Sequence, residues 1–219
     1  MTARSPSPRP ARTSRRLKFG RAGLIPVLLS VFAWGASTTL SVCRVHAADP
    51  RISSTVAGNI VGSDKRTMLG LYLTSQEAAA ALARHSDMVL IDVRARAAVL
   101  RDGLAAPTRR NIPLFGPTPP DMIAQHDAAR VRIDPEFLTT VERVVGAGAT
   151  GRRATVLVIC PDGSHSALAV DHLADNGFTN VYLIVDGATG RSTAAPGAIG
   201  WKRLGLPWLA APTADQIGR

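Results

Sequence analysis

Thr155-Val156-Leu157-Val158-Ile159-Cys160-Pro161-Asp162-Gly163-Ser164-His165-Ser166 joins an apolar run to a turn and then to the start of a helix. Five consecutive apolar or β-branched residues leave no polar face, so this strand reads as covered on both sides. Gly163 permits a tight backbone path, and the helix spans residues 164–176 with Gly177 as its stop. Similar runs flank it. Met88-Val89-Leu90-Ile91 ends in Asp92-Val93-Arg94, and Val181-Tyr182-Leu183-Ile184-Val185 forms the third. The capping box Thr74-Ser75-Gln76-Glu77 opens an alanine-rich helix through Arg84. Asp134-Pro135 reads as an N-cap with proline at the first helical position, starting a helix that ends at Gly146. Apolar strands alternating with helices predict an α/β fold, a central parallel sheet with helices on both faces.

The connecting segments are less regular. Residues 97–101 predict a helical turn, and residues 103–120 a loop with a short strand near Asn111-Ile112. Residues 146–153 read as a turn and 187–200 as an exposed loop, after which residues 201–208 close the chain against the body. The expected organisation is a signal segment over 1–47, a lead-in linker over 48–69, one domain over 70–209 and a tail over 210–219.

The chain has 219 residues, with 26 Lys+Arg against 16 Asp+Glu and a formal charge of +10. That charge is local. Residues 1–47 hold eight of the basic residues and no acid, leaving 18 against 16 from Ala48 onward. A body of about +2 gives no reason to expect nucleic acid as a partner. The 46% hydrophobic content excludes a disordered chain, and two cysteines exclude a disulfide scaffold. Residues 1–21 are basic, 22–43 are uncharged with the densest apolar run at 24–36, and Val45-His46-Ala47 follows. This is the layout of a secretory signal cut between Ala47 and Ala48. Ser14-Arg15-Arg16-Leu17-Lys18-Phe19 has the paired arginines of a twin-arginine signal, with the following residues in a different order. The alternative is an uncleaved anchor, the one case with a membrane contact. Both readings place the domain in the periplasm or outside the cell.

Sites in open α/β sheets form where strand C-termini lead into helix N-termini, and Cys160 stands at such a point. The unpaired N–H groups of a helix start favour a thiolate and would also hold a sulfur carried on it. With the signal removed, Cys160 is the remaining cysteine, so no intramolecular disulfide accounts for it. The competing reading is a small buried residue ending a strand. His165 offers an imidazole to bond the sulfur or shuttle a proton, against a plain polar residue at a helix start. Cys160 and His165 lack a second pair at zinc spacing, so no metal or cofactor is expected.

At this loop the chain resembles the rhodanese-like family, an α/β domain whose reactive cysteine opens a Cys-x-x-Gly-x-Arg-Ser type loop between strand and helix. Cys160, Gly163 and Ser166 match, and His165 stands where arginine is frequent. Leu90-Ile91-Asp92-Val93-Arg94, Gly177-Phe178-Thr179-Asn180-Val181-Tyr182 and Trp201-Lys202-Arg203-Leu204-Gly205-Leu206-Pro207 resemble family segments in the same order, over about residues 70–208. The resemblance implies an exported sulfurtransferase in which Cys160 carries sulfane sulfur as a persulfide. The loop would be Pro161, Asp162, Gly163, Ser164, His165 and Ser166, with Asp92 and Arg94 in support. Its partners would be a small sulfur donor and a thiophilic acceptor. The alternative is an inactive binding or regulatory module. The loop has no Arg or Lys, Asp162 is acidic, and Pro161 removes one N–H. Poor use of an anionic donor such as thiosulfate is therefore expected. Arg109 and Arg110 are the nearest candidates for the missing charge, against a solvated pair on a loop.

Overall fold

The computed structural model describes residues 49, 51–116, 132–190 and 198–217. The signal segment and Cys43 lie outside the described residues. Five strands form one parallel sheet: β1 (Tyr72–Leu73), β2 (Val89–Asp92), β4 (Thr108–Asn111), β5 (Val156–Ile159) and β6 (Val181–Ile184). Their order across the sheet is β1-β6-β5-β2-β4. All four residues of the central strand β5 are buried, as a parallel sheet covered on both faces requires.

Alternate residues of each strand enter different cores. Val156, Val158 and Cys160 join Ile91, Val93, Val181 and Leu183 on one face. That face is covered by α3 (Phe137–Val145) and α5 (Ser164–Asp175), through Phe137, Val141, Val170 and Leu173. Leu157 and Ile159 join Leu90, Tyr182 and Ile184 on the other, under Ala78 and Ala81 of α1 (Ser75–Arg84) and Trp201. Each fully buried Leu, Ile or Val side chain contributes roughly 1.5–3 kcal/mol. Thr74 and Glu77 make the expected capping box at the start of α1.

Elsewhere, α2 (Arg96–Asp102) replaces the expected helical turn, and α4 (Gly148–Gly151) sits in the expected turn before β5. A second sheet pairs β3 (Leu104–Ala105) antiparallel with β7 (Trp208–Leu209), so the closing segment is fixed by backbone bonds. The short α6 (Ala214–Ile217) follows it. Helix α3 starts two residues beyond Pro135, because Asp134 Oδ1 instead accepts the N–H of Glu136 and holds a preceding turn. The strand expected near Asn111-Ile112 runs earlier, as Thr108–Asn111.

The residues read as a lead-in pack on the domain. Val56, Val61 and Leu69 enter the α5-side core, through short 3-10 turns at Gly58–Ile60 and Ser63–Lys65. Farther up, the Asp49 carboxylate accepts the Thr155 hydroxyl at 2.7 Å, and its N–H donates to Tyr182 Oη at 2.7 Å.

Candidate functional site

Cys160 follows the wholly buried strand β5, and its loop turns sharply into α5. Gly163 is the pivot, with φ +97° and ψ −20°, in the left-handed region that a Cβ disfavours. A Cβ there would also lie 2.7 Å from the Val185 carbonyl oxygen. The turn aims backbone donors at the sulfur. The N–H of Gly163 lies 3.1 Å from Cys160 Sγ and that of Ser166 lies 3.3 Å away. Ser166 is in the first turn of α5, where N–H groups have no helical partner, so the sulfur satisfies an orphan donor. The Ser166 hydroxyl is fully buried and has no hydrogen-bond partner among the described residues.

A second strand end clasps the loop from the side. Ala188 N–H donates to the Cys160 carbonyl at 2.8 Å, and Thr189 donates through N–H and hydroxyl to the Pro161 carbonyl at 2.9 and 2.8 Å. Gly187, at φ +56°, allows this approach, since a Cβ would sit 2.7 Å from the Asp162 nitrogen. Asp186 anchors the clasp by accepting both donors of Ser75 and the N–H of Gly200. Burial raises its carboxyl above the ordinary range against those bonds.

Asp162 faces the sulfur at 4.0 Å. Its Oδ1 accepts the Ser164 hydroxyl at 2.7 Å and the Ser164 N–H at 3.1 Å. Burial opposes its ionisation, but the Ser164 bonds together with Lys65 and His165 hold its carboxyl below the ordinary range. Lys65 is a residue beside the loop that sequence reasoning missed. The loop carries no cation of its own, yet this lysine from the second 3-10 turn lies against it, only 3% exposed. Its stem fills the space beside Gly163, at 3.3 Å from an added Cβ, and its Nζ donates to the Val185 carbonyl at 3.4 Å. Its one local signal is the charged triplet Asp64-Lys65-Arg66, which says nothing about burial.

The other expected residues separate. His165 is exposed and sets its ring edge-on to Phe115 at 5.2 Å between centroids, rather than bonding the sulfur. Asp92 and Arg94 form a buried ion pair at 2.6 Å. Arg94 also donates to the Gly103 carbonyl and lies over Trp208, while Asn111 Nδ2 donates to the carbonyls of Asp92 and Arg94. None of these bonds reaches Cys160. Arg109 and Arg110 lie on β4, at the sheet edge, and line a different cavity. Among the described residues no three His, Cys, Asp or Glu side chains are grouped as a metal would require.

A buried cysteine stands at the turn from a central parallel strand into a helix, in an α/β domain with helices on both faces, and the resemblance to the rhodanese-like family rests on that arrangement. No protein-family model and no curated protein matches the chain. The solved structures that are similar to it include these two. One is the crystal structure of Rv0390 from M. tuberculosis, at 21% identity over 64% of this chain and 97% of that one, with a TM-score of 0.46. The other is the solution structure of the 30 kDa polysulfide-sulfur transferase homodimer from Wolinella succinogenes, at 20% identity, 67% and 82% coverage and a TM-score of 0.43.

Proposed function

We propose that this protein is an exported sulfurtransferase that carries sulfane sulfur on Cys160. The observation that carries the reading is the pair of amides, Gly163 and Ser166, converging on Sγ at 3.1 and 3.3 Å. Such donors stabilise negative charge on sulfur in a dry site, where they act more strongly than in water. In the first half-reaction the Cys160 thiolate attacks the sulfane sulfur of a small donor. The donor's sulfur bond breaks, and its electron pair leaves with the remaining fragment, which is sulfite when the donor is thiosulfate. The Cys160 persulfide then presents its outer sulfur to a thiophilic acceptor, and the Cys160 electron pair returns to Sγ as that sulfur departs. The Ser166 hydroxyl, without a partner among the described residues, supplies one further donor for the added sulfur. Lys65 offsets the charge of Asp162 as an anionic donor approaches.

Sulfur transfer to cyanide tests the reading. Thiocyanate should form with the wild type and a polysulfide or thiosulfate donor, and be lost in Cys160→Ser. A second reading, a binding module without turnover, is favoured by one observation: Cys160 is completely buried. On that reading the wild type forms no thiocyanate with any donor. The proposal also includes export, which rests on the basic, apolar and small-residue order of residues 1–47. N-terminal sequencing of envelope protein should find Ala48, whereas a chain starting at Met1 would favour an anchor.

A further inference from the structure

The edge of the sheet farthest from β1 carries a second concentration of charge. Arg109 and Arg110 of β4, Arg143 and Val144 of α3 and Asp215 of α6 enclose a cavity of about 270 Å³. Four arginines elsewhere pair with acids: Arg51 with Asp49, Arg94 with Asp92, Arg101 with Asp102 and Arg152 with Glu142. Among the described residues, the three gathered at this cavity have no such partner. Among the described residues Arg109 and Arg110 make no hydrogen bond or ion pair, and Arg143 makes one, to the Thr140 hydroxyl at 3.3 Å. The acid next to Arg143 in the chain, Glu142, is taken by Arg152 at 3.2 Å. Asp215 lines the same cavity without pairing with any of the three. The wall it stands on is held to the strand, since Gln216 Nε2 donates to the Thr108 carbonyl at 3.0 Å.

We propose that this cavity is a binding site for a compact, doubly charged oxyanion of the phosphate class. Arginines gathered from two elements at one concave surface repel each other through water, and an anion among them relieves that repulsion. Their planar donor forks suit tetrahedral oxyanions, which they bind in a bidentate manner. Three cations against one carboxylate leave a lining of two net positive charges, which a dianion neutralises. The site is separate from the sulfur chemistry. Strand β2 stands between β4 and the strand that delivers Cys160.

Isothermal titration calorimetry of the full chain in a phosphate-free buffer tests this, with inorganic phosphate in one arm and glycerol phosphate in the other. We expect saturable binding of one anion per chain. The double variant Arg110→Ala/Arg143→Ala should weaken it by about tenfold or more, as loss of two charge-assisted forks requires. Asp215→Asn should tighten it by roughly threefold through loss of one repulsive charge. A gain of affinity cannot come from misfolding, so this variant keeps the test decisive if the double variant is unstable. Tighter binding of the ester than of the free ion identifies a phosphorylated small molecule, and the reverse order identifies the inorganic ion. Both outcomes support the site. No saturable binding in either arm, or binding that neither variant alters, overturns it. Cys160→Ser should bind phosphate as the wild type does, so failure of the sulfur reading would not disturb this result.

Discussion

The turns after β2 and β5 leave neighbouring parallel strands at the same level, because Asp92 pairs in register with Ile159. Each places a reactive group at the sheet's C-terminal edge, and the two are finished in opposite ways. After β2, the Asp92 carboxylate is saturated by Arg94, Asn111 pins the carbonyls of Asp92 and Arg94, and Trp208 covers the guanidinium. After β5, the sulfur receives two amides, the nearby Ser166 hydroxyl has no partner among the described residues, and the acid at 4.0 Å is only partly buried. The network after β2 ties up its charges and leaves open an acceptor, Asn111 Oδ1, which has nothing to donate to an anionic sulfur. A site held by backbone donors, with unused capacity beside it, gives up some stability for chemistry.

The largest expected effect breaks the closed turn. Arg94→Met leaves the Asp92 carboxylate buried without its partner, which typically costs about 3–5 kcal/mol. Denaturant unfolding should show that loss, whereas Cys160→Ser should cost no more than about 1.5 kcal/mol, the scale of an ordinary hydrogen-bond change. Equal losses would erase the distinction between the two turns. Next comes the pivot of the open turn. Gly163→Ala forces a Cβ into a left-handed conformation against the Val185 carbonyl, a strain of about 1–3 kcal/mol. By moving the amides it should also lower sulfur transfer by about tenfold or more, as loss of preorganised donors does.

A smaller effect separates the cation from the amides. Lys65→Met keeps the stem beside Gly163 but removes the charge facing Asp162. Transfer from thiosulfate, a dianion, should fall by roughly tenfold, and transfer from a singly charged alkanethiosulfonate by about threefold. Equal losses with both donors would show that Lys65 acts by packing alone. The smallest effect is on pH dependence. The folded state holds the Asp162 carboxyl below its unfolded value, so its contribution to stability is present above about pH 4 and fades as pH falls through the folded value. For this partly exposed group, the wild type should exceed Asp162→Asn by no more than about 1 kcal/mol at pH 7, and that margin should shrink towards pH 3. A margin independent of pH would mean that the carboxylate charge contributes nothing.

What was legible in the chain follows from how local each signal is. The strands β2, β5 and β6 show as apolar runs because parallel strands under helices have no polar face. Thr74 and Glu77 announced α1 through a cap closed within four residues. Tyr72–Leu73 and the Leu104–Ala105 pairing with Trp208–Leu209 were silent, since two residues establish no period and their partners are far away in sequence. Cys160, Asp162, Gly163 and Ser166 stand together because one turn holds them. Lys65 did not show, because its place beside Gly163 depends on a 3-10 turn packing on α5 from about a hundred residues away. Arg109 and Arg110 read as a loop pair for the same reason. Their strand exists through pairing with β2, not through its own residues.

Intact mass spectrometry after incubation with a sulfane donor tests the central claim most directly. The wild type should gain the mass of one sulfur atom, lose it on addition of cyanide or a thiol, and retain it longer than Gly163→Ala does. Cys160→Ser should gain nothing under the same conditions. A wild type that acquires no sulfur from polysulfide, thiosulfate or an alkanethiosulfonate would contradict the account, and Cys160 would then be a buried structural residue following β5.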